Sequence, residues 1–263
     1  MNGPVPILEA RNICKAFGAV VAADDISVSV PLSARLALIG SNGAGKTTFV
    51  NMVTGHLKPD SGSVLLDGAD VTGLAPRRIT QSGMCRSFQI PQLCEPMSPL
   101  DNVLVAASIA AENKGRSRSF LRSAHTAEAI DAGHAILSRF GLSDYADRPV
   151  SELPGGVRKL IDIAMALAAS PRVLLLDEPT SGVSSEEKFP IMDRVMRALE
   201  GEQAAIIFVE HDMEIVSRYA DRVLAFSSGR VIADDTPEAV LADDDVQLYV
   251  TGHRRSEAAR GAP

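Results

Sequence analysis

Cysteine is scarce: Cys14, Cys85 and Cys94 are the only three in 263 residues. The count is odd and no pair has metal-ligand spacing, so neither a disulfide framework nor a zinc site is indicated. Reduced, structural thiols fit a reducing compartment. Long apolar runs are missing too, and none approaches the roughly 18 residues of a membrane-spanning helix. The opening Met1-Asn2-Gly3-Pro4-Val5-Pro6 lacks the basic and apolar regions of a signal peptide. The expectation is a chain soluble by itself, which works at a membrane only through a partner. A basic excess is also absent. The net charge is −7, so no nucleic-acid footprint and no nucleic-acid partner is expected. No repeat of solenoid period occurs.

What is present is a high apolar content, 46%. That supports a large core, in one domain with an inserted lobe or in two small domains. Residues 7–16, 26–30 and 63–68 read as half-buried strands and turns. Arg35-Leu36-Ala37-Leu38-Ile39 is a compact apolar run that stops at glycine, as a buried strand entering a loop does. From residue 101 to about 141 the spacing is helical, with a polar, basic stretch at 113–119 expected at the surface. Residues 160–169 and 188–200 predict helices. Val173-Leu174-Leu175-Leu176 and Ala205-Ile206-Ile207-Phe208-Val209 are fully apolar strands. Such strands separated by helices indicate a largely parallel sheet covered on both faces. Residues 222–226 and 230–233 predict a closing hairpin, and 237–252 a helix. The tail from His253 is expected to be disordered.

Gly40-Ser41-Asn42-Gly43-Ala44-Gly45-Lys46-Thr47 follows the first apolar strand and satisfies the pattern G-x-x-x-x-G-K-S/T. Glycines let the backbone curl so that successive N–H groups face phosphate oxygens. The helix expected from Lys46, through Thr48 and beyond, adds its positive N-terminal end. Lys46 brings a point charge to the β and γ phosphates. Thr47 offers a hydroxyl to Mg²⁺, which prefers oxygen ligands. A second apolar strand ends in Asp177-Glu178-Pro179. In a parallel sheet ligands collect at the carboxyl ends of strands. Asp177 is therefore expected to hold Mg²⁺, directly or through water, and Glu178 to polarise an attacking water.

With these motifs in this order, the chain resembles the nucleotide-binding subunits of ABC transporters from about residue 8 to residue 252. The resemblance implies an α/β fold: a RecA-like P-loop NTPase core with an antiparallel β portion and an inserted helical lobe. One ABC ATPase domain would span 1–252, with the core about 1–90 and 158–252 and the lobe about 91–157. It also implies several roles. Phe17 matches the aromatic that stacks on adenine, since stacking needs only a flat π face. Gln89, in Arg86-Ser87-Phe88-Gln89, matches the glutamine that touches Mg²⁺ and the attacking water and begins the segment contacting the membrane subunit. His211 matches the histidine that reaches the γ-phosphate.

Two departures from the family pattern stand out. The signature is Leu-Ser-Gly-Gly-Gln in the family, and one subunit's signature closes on the ATP of the other. Here it reads Leu153-Pro154-Gly155-Gly156-Val157. Pro154 has neither hydroxyl nor N–H, although Gly155 and Gly156 still offer backbone N–H groups. Ser184 stands where the family commonly has Asp or Asn. Within the family the chain looks most like importers of branched-chain amino acids and related small carboxylates or amides. ATP and Mg²⁺ would be the bound species. The partners would be a second nucleotide-binding subunit (the same or different), integral membrane permeases and, indirectly, a substrate-binding protein. The location would be the cytoplasmic face of the inner membrane. Two other readings stay open on sequence. One is a soluble relative acting on ribosomes or DNA, although this chain lacks the usual second cassette or coiled-coil insert. The other is a nucleotide-dependent clamp that barely hydrolyses ATP because of Pro154.

Overall fold

The computed structural model describes residues 6–113 and 126–252. The basic stretch expected up to 119 lies outside these residues from 114 onward, and so does the tail 253–263. Strands β1 (Pro6–Phe17) and β2 (Val20–Pro31) form a long hairpin. Strand β3 (Arg35–Gly40) runs through the glycine loop into helix α1 (Lys46–Val53). Strands β4 (Ser61–Leu66) and β5 (Ala69–Asp70) complete an antiparallel sheet in the order β2-β1-β4-β5. Helix α2 (Pro76–Gln81) and strand β6 (Met84–Ser87) follow. Then come helices α3 (Pro99–Asn113), α4 (Ala127–Arg139) and α5 (Gly155–Ala168). The last part alternates: β7 (Val173–Asp177), α6 (Ser185–Ala198), β8 (Ala205–Val209), α7 (Met213–Tyr219), β9 (Arg222–Ser227), β10 (Arg230–Asp235) and α8 (Pro237–Ala242).

The second sheet has the order β10-β9-β3-β8-β7-β6. All its pairings are parallel except the β9–β10 hairpin. Residue parity along its strands explains why they read as fully apolar. Leu36, Leu38, Val173, Leu175, Ile207, Leu224 and Phe226 face one core, which they share with α1 and the antiparallel sheet. Their alternates Ala37, Ile39, Leu174, Leu176, Phe208, Val223 and Ala225 face a second core with α4, α5, α6 and α7. Successive side chains of a strand point to opposite faces, so a sheet buried on both sides needs apolar residues at every position. Among the described residues no helix is long and apolar enough to cross a membrane. Helix 237–252 is shorter than its spacing suggests. It stops at Ala242, and Asp243 caps a separate turn, Asp244–Val246, that leads into one π turn at Gln247–Thr251.

Candidate functional site

The loop after β3 is pinned at its ends and open in its middle. Gly40 has φ 152°, and a Cβ there would lie 2.5 Å from the Phe226 carbonyl oxygen. Gly45 has φ 108°, and its Cβ would lie 2.6 Å from the Ala22 carbonyl oxygen. Gly43, at φ 80°, has nothing within 4 Å. Side chains are excluded where the loop meets the core, and the middle faces open space. Ala44 N–H donates to the Ser41 carbonyl at 3.1 Å, and Gly229 N–H donates to the Ala44 carbonyl at 2.9 Å. Lys46 opens α1, is 6% exposed, and donates to the carbonyls of Gly40 (2.6 Å) and Ser41 (3.0 Å). Burial pulls its ammonium below the ordinary lysine range, while Glu178 and Asp177 oppose that shift.

A cleft of about 410 Å³ joins this loop to the ends of β7 and β8. It brings together residues 42–48, Gln89, Asp177, Glu178 and His211. Their order in the sheet explains the meeting: β8 lies between β3 and β7, so both loops open at the same carboxyl edge. Glu178 lies between two partners. The Gln89 side-chain amide donates to its Oε2 at 2.6 Å, and His211 Nε2 lies 2.9 Å from its Oε1. Glu178 also has φ 47°, a region that side chains other than glycine visit at a cost and that collects at functional sites.

Gly40 and Ser41, at the start of the loop, do not line this cleft, and neither do Phe17, Pro154, Gly155, Gly156 and Ser184. Phe17 ends β1, 52% exposed, with the Lys15 ammonium 5.7 Å from its ring centroid. Pro154 precedes α5 as its N-cap residue, and Gly155 and Gly156 open that helix. A Cβ on Gly155 would meet nothing within 4 Å. Ser184 is the N-cap residue of α6, where its N–H (3.2 Å) and hydroxyl (2.8 Å) donate to the Glu187 carboxylate. At this position the departure from Asp or Asn serves as a local helix cap.

Sequence reasoning missed three features of the site. Arg86 donates to Asp177 at 2.5 Å and to the Asn51 side-chain oxygen at 2.8 Å, which ties β6 and α1 to the end of β7. Its position directly before Ser87-Phe88-Gln89 was the available signal. Glu210 is buried and accepts from Thr180 N–H (3.0 Å), Thr180 hydroxyl (2.8 Å) and His211 N–H (3.2 Å), linking the loops after β7 and β8. Burial pushes its carboxyl up, against the pull of those hydrogen bonds. Lys159 and Asp162 are buried charges on α5, and their signal was a charged pair set in the apolar run Leu160, Ile161, Ile163.

The oxygen donors suit Mg²⁺. Thr47, Asp177 and Gln89 supply a hydroxyl, a carboxylate and an amide. Among the described residues no cluster of three or more His, Cys, Asp or Glu could hold a metal alone. An ion here would need phosphate oxygens and waters as well, which is how Mg²⁺ is commonly bound.

The model of the ABC transporter family matches residues 23–181. The chain belongs to that family. It is 32% identical to the probable branched-chain amino acid transport ATP-binding protein LivG of Methanocaldococcus jannaschii, over 95% of this chain and 99% of that one. To the high-affinity branched-chain amino acid transport ATP-binding protein LivG of Escherichia coli it is 31% identical, over 92% of this chain and 96% of that one. A crystal structure of the ADP conformation of an ATP-binding cassette of an ABC transporter superposes with a TM-score of 0.80 at 31% identity. It covers 92% of this chain and 97% of that chain. The ABC cassette is thus an ATP-binding ATPase with the expected fold, a RecA-like core with an antiparallel β portion and inserted helices.

Proposed function

We propose that this cassette is the ATP-hydrolysing subunit of an importer for branched-chain amino acids or related small carboxylates and amides. Lys46 and the N–H groups of residues 42–48 hold the phosphates. Phe17 stacks on the adenine. Thr47, Asp177 and Gln89 would hold Mg²⁺, which when bound would screen the phosphate charge. Glu178 accepts the proton of the attacking water, Gln89 orients that water, and His211 reaches the γ-phosphate. The observation that carries this reading is Glu178 held between Gln89 and His211 beside the phosphate loop.

With a core of 1–90 and 158–252 and a helical lobe of 91–157, Pro154, Gly155 and Gly156 would stand at the lobe's end. There they would close on the ATP of a second cassette, identical or homologous. The membrane partner would dock on a cleft of about 410 Å³ between β6, α3 and α5, lined by Phe88, Val105, Ile109 and Met165. Ile90, 74% exposed, sits beside Gln89 in the neighbouring segment. Such apolar exposure suits an integral membrane permease. The cassette would then sit at the cytoplasmic face of the inner membrane, with a substrate-binding protein acting through the permease.

Affinity purification of the tagged chain from its own membranes tests this assignment. Integral membrane subunits should co-purify, and vesicles holding the complex should take up leucine, isoleucine or valine only with ATP. Recovery of ribosomes or DNA in their place would contradict it.

A further inference from the structure

Two charges on α5 have a use that the site chemistry above does not include. Lys159 and Asp162 are one helical turn apart and only 2% and 6% exposed. Burying an ammonium and a carboxylate is costly, and an apolar pair of similar volume usually serves stability as well or better. Their hydrogen bonds go to backbone atoms, four of the five in the segment 88–92 and one at the end of β7. Asp162 accepts the Phe88 N–H on Oδ2 and the Gln92 N–H on Oδ1, each at 3.1 Å. Lys159 Nζ donates to the carbonyls of Phe88 (2.9 Å), Gln89 (2.9 Å) and Asp177 (3.3 Å). An ammonium has three donors, and all three are used. Phe88 is gripped through both its N–H and its carbonyl. The third contact lands on the last residue of β7, directly before Glu178.

Helix α5 is thereby fastened at once to the strip that carries Gln89 and to the strand end that carries Asp177. Its own first turn holds Gly155 and Gly156. We propose that Lys159 and Asp162 are positioning residues: they hold residues 88–92 so that the Gln89 amide meets Glu178. The proposal rests on the hydrolytic reading of Glu178 and Gln89. Burial pulls Lys159 down and pushes Asp162 up, and their fixed partners oppose both shifts: neighbouring carboxylates for Lys159, the Gln92 and Phe88 N–H groups for Asp162.

The test uses the purified chain, the single variants Lys159→Met, Lys159→Arg, Asp162→Asn, Gln89→Ala and Glu178→Gln, and the double variant Lys159→Met/Gln89→Ala. In Lys159→Met, kcat should fall about 10-fold or more, because small misplacements near reacting atoms are expensive. KM and the affinity for a fluorescent ATP analogue should stay within about twofold. Lys159→Arg should recover most of the rate. The double variant Lys159→Met/Gln89→Ala should be no slower than Gln89→Ala alone, since residues acting through one another are not additive. Hydrogen exchange gives a readout independent of turnover: the Phe88 and Gln92 amides should exchange faster in Asp162→Asn, with the core of β7 and β8 unchanged.

Multiplicative losses in the double variant would overturn the proposal. So would an unchanged kcat in Lys159→Met, or unchanged exchange at both amides. If Glu178→Gln failed to slow turnover, the hydrolytic reading would be at fault, while the exchange measurement would still judge the grip itself.

Discussion

Two glycine-bearing loops in this cassette each lead into a helix, and they are built in opposite ways. The loop before α1 is fitted to its surroundings: Gly40 and Gly45 leave no room for a Cβ against Phe226 and Ala22. The turn that opens α5 is open at Gly155, where added bulk meets empty space, while a Cβ on Gly156 would lie 3.1 Å from Ile191. The first loop has its counterpart residues, Asp177, Glu178 and His211, across one cleft. The second has none there. On the proposed function, the first loop would bind nucleotide within one chain and the second would meet the nucleotide of another.

The largest effect should come from removing the charge of the fitted loop. Lys46→Ala should weaken ATP binding about 100-fold or more, since hydrogen bonds to phosphate are charge-assisted. Titration with a fluorescent ATP analogue measures it, and near-normal affinity would break the contrast. A pair of glycine variants sharpens it. Gly45→Ala forces a positive φ on alanine and pushes a Cβ onto Ala22. It should cost about 2–3 kcal/mol, or roughly 5–10 °C in Tm. Gly155→Ala should cost less than about 0.5 kcal/mol, yet should slow turnover of the dimer if that face must approach a partner's nucleotide. Equal losses of stability at the two positions would erase the difference.

Pro154→Ser restores a hydroxyl and an N–H on the open loop. It should raise turnover by about 10-fold or more, the worth of one charge-assisted bond to phosphate. Unchanged turnover would show that the missing hydroxyl is not limiting. The smallest effect concerns pH. Burial raises the carboxyl of Glu210 above its ordinary value, so the folded state holds that proton longer than the unfolded state. Its contribution to stability is present below the ordinary carboxylate range and is lost as pH rises through the raised value. Glu210→Gln should flatten that part of a Tm–pH curve. Asp162 shifts the same way but is common to both proteins, so the difference curve isolates Glu210.

Both loops were visible in the sequence, for different reasons. The first is spelled by residues that the backbone itself requires, glycines at positive φ and a lysine, and such constraints show in any single chain. So do the fully apolar strands, because burial on both faces leaves no polar position. Strand β6 was missed: Met84-Cys85-Arg86-Ser87 is short, lies at the sheet edge, and owes its place to pairing with β7. Helices α2 and α7 are too brief to carry a period. Arg86, Glu210, Lys159 and Asp162 were hidden because their partners are distant in sequence and mostly backbone atoms. A charge on a helix reads as solvated until the fold shows what covers it.

The central claim is that Glu178, held by Gln89 and His211, carries hydrolysis at a site that binds nucleotide without it. Glu178→Gln keeps the shape and removes the base. Steady-state ATP turnover of this variant, measured beside its ATP affinity, is therefore the most direct test. The account predicts affinity within about twofold of the parent chain and turnover lower by about 100-fold, the range expected for a lost general base. Turnover equal to that of the parent chain, with affinity intact, would contradict it.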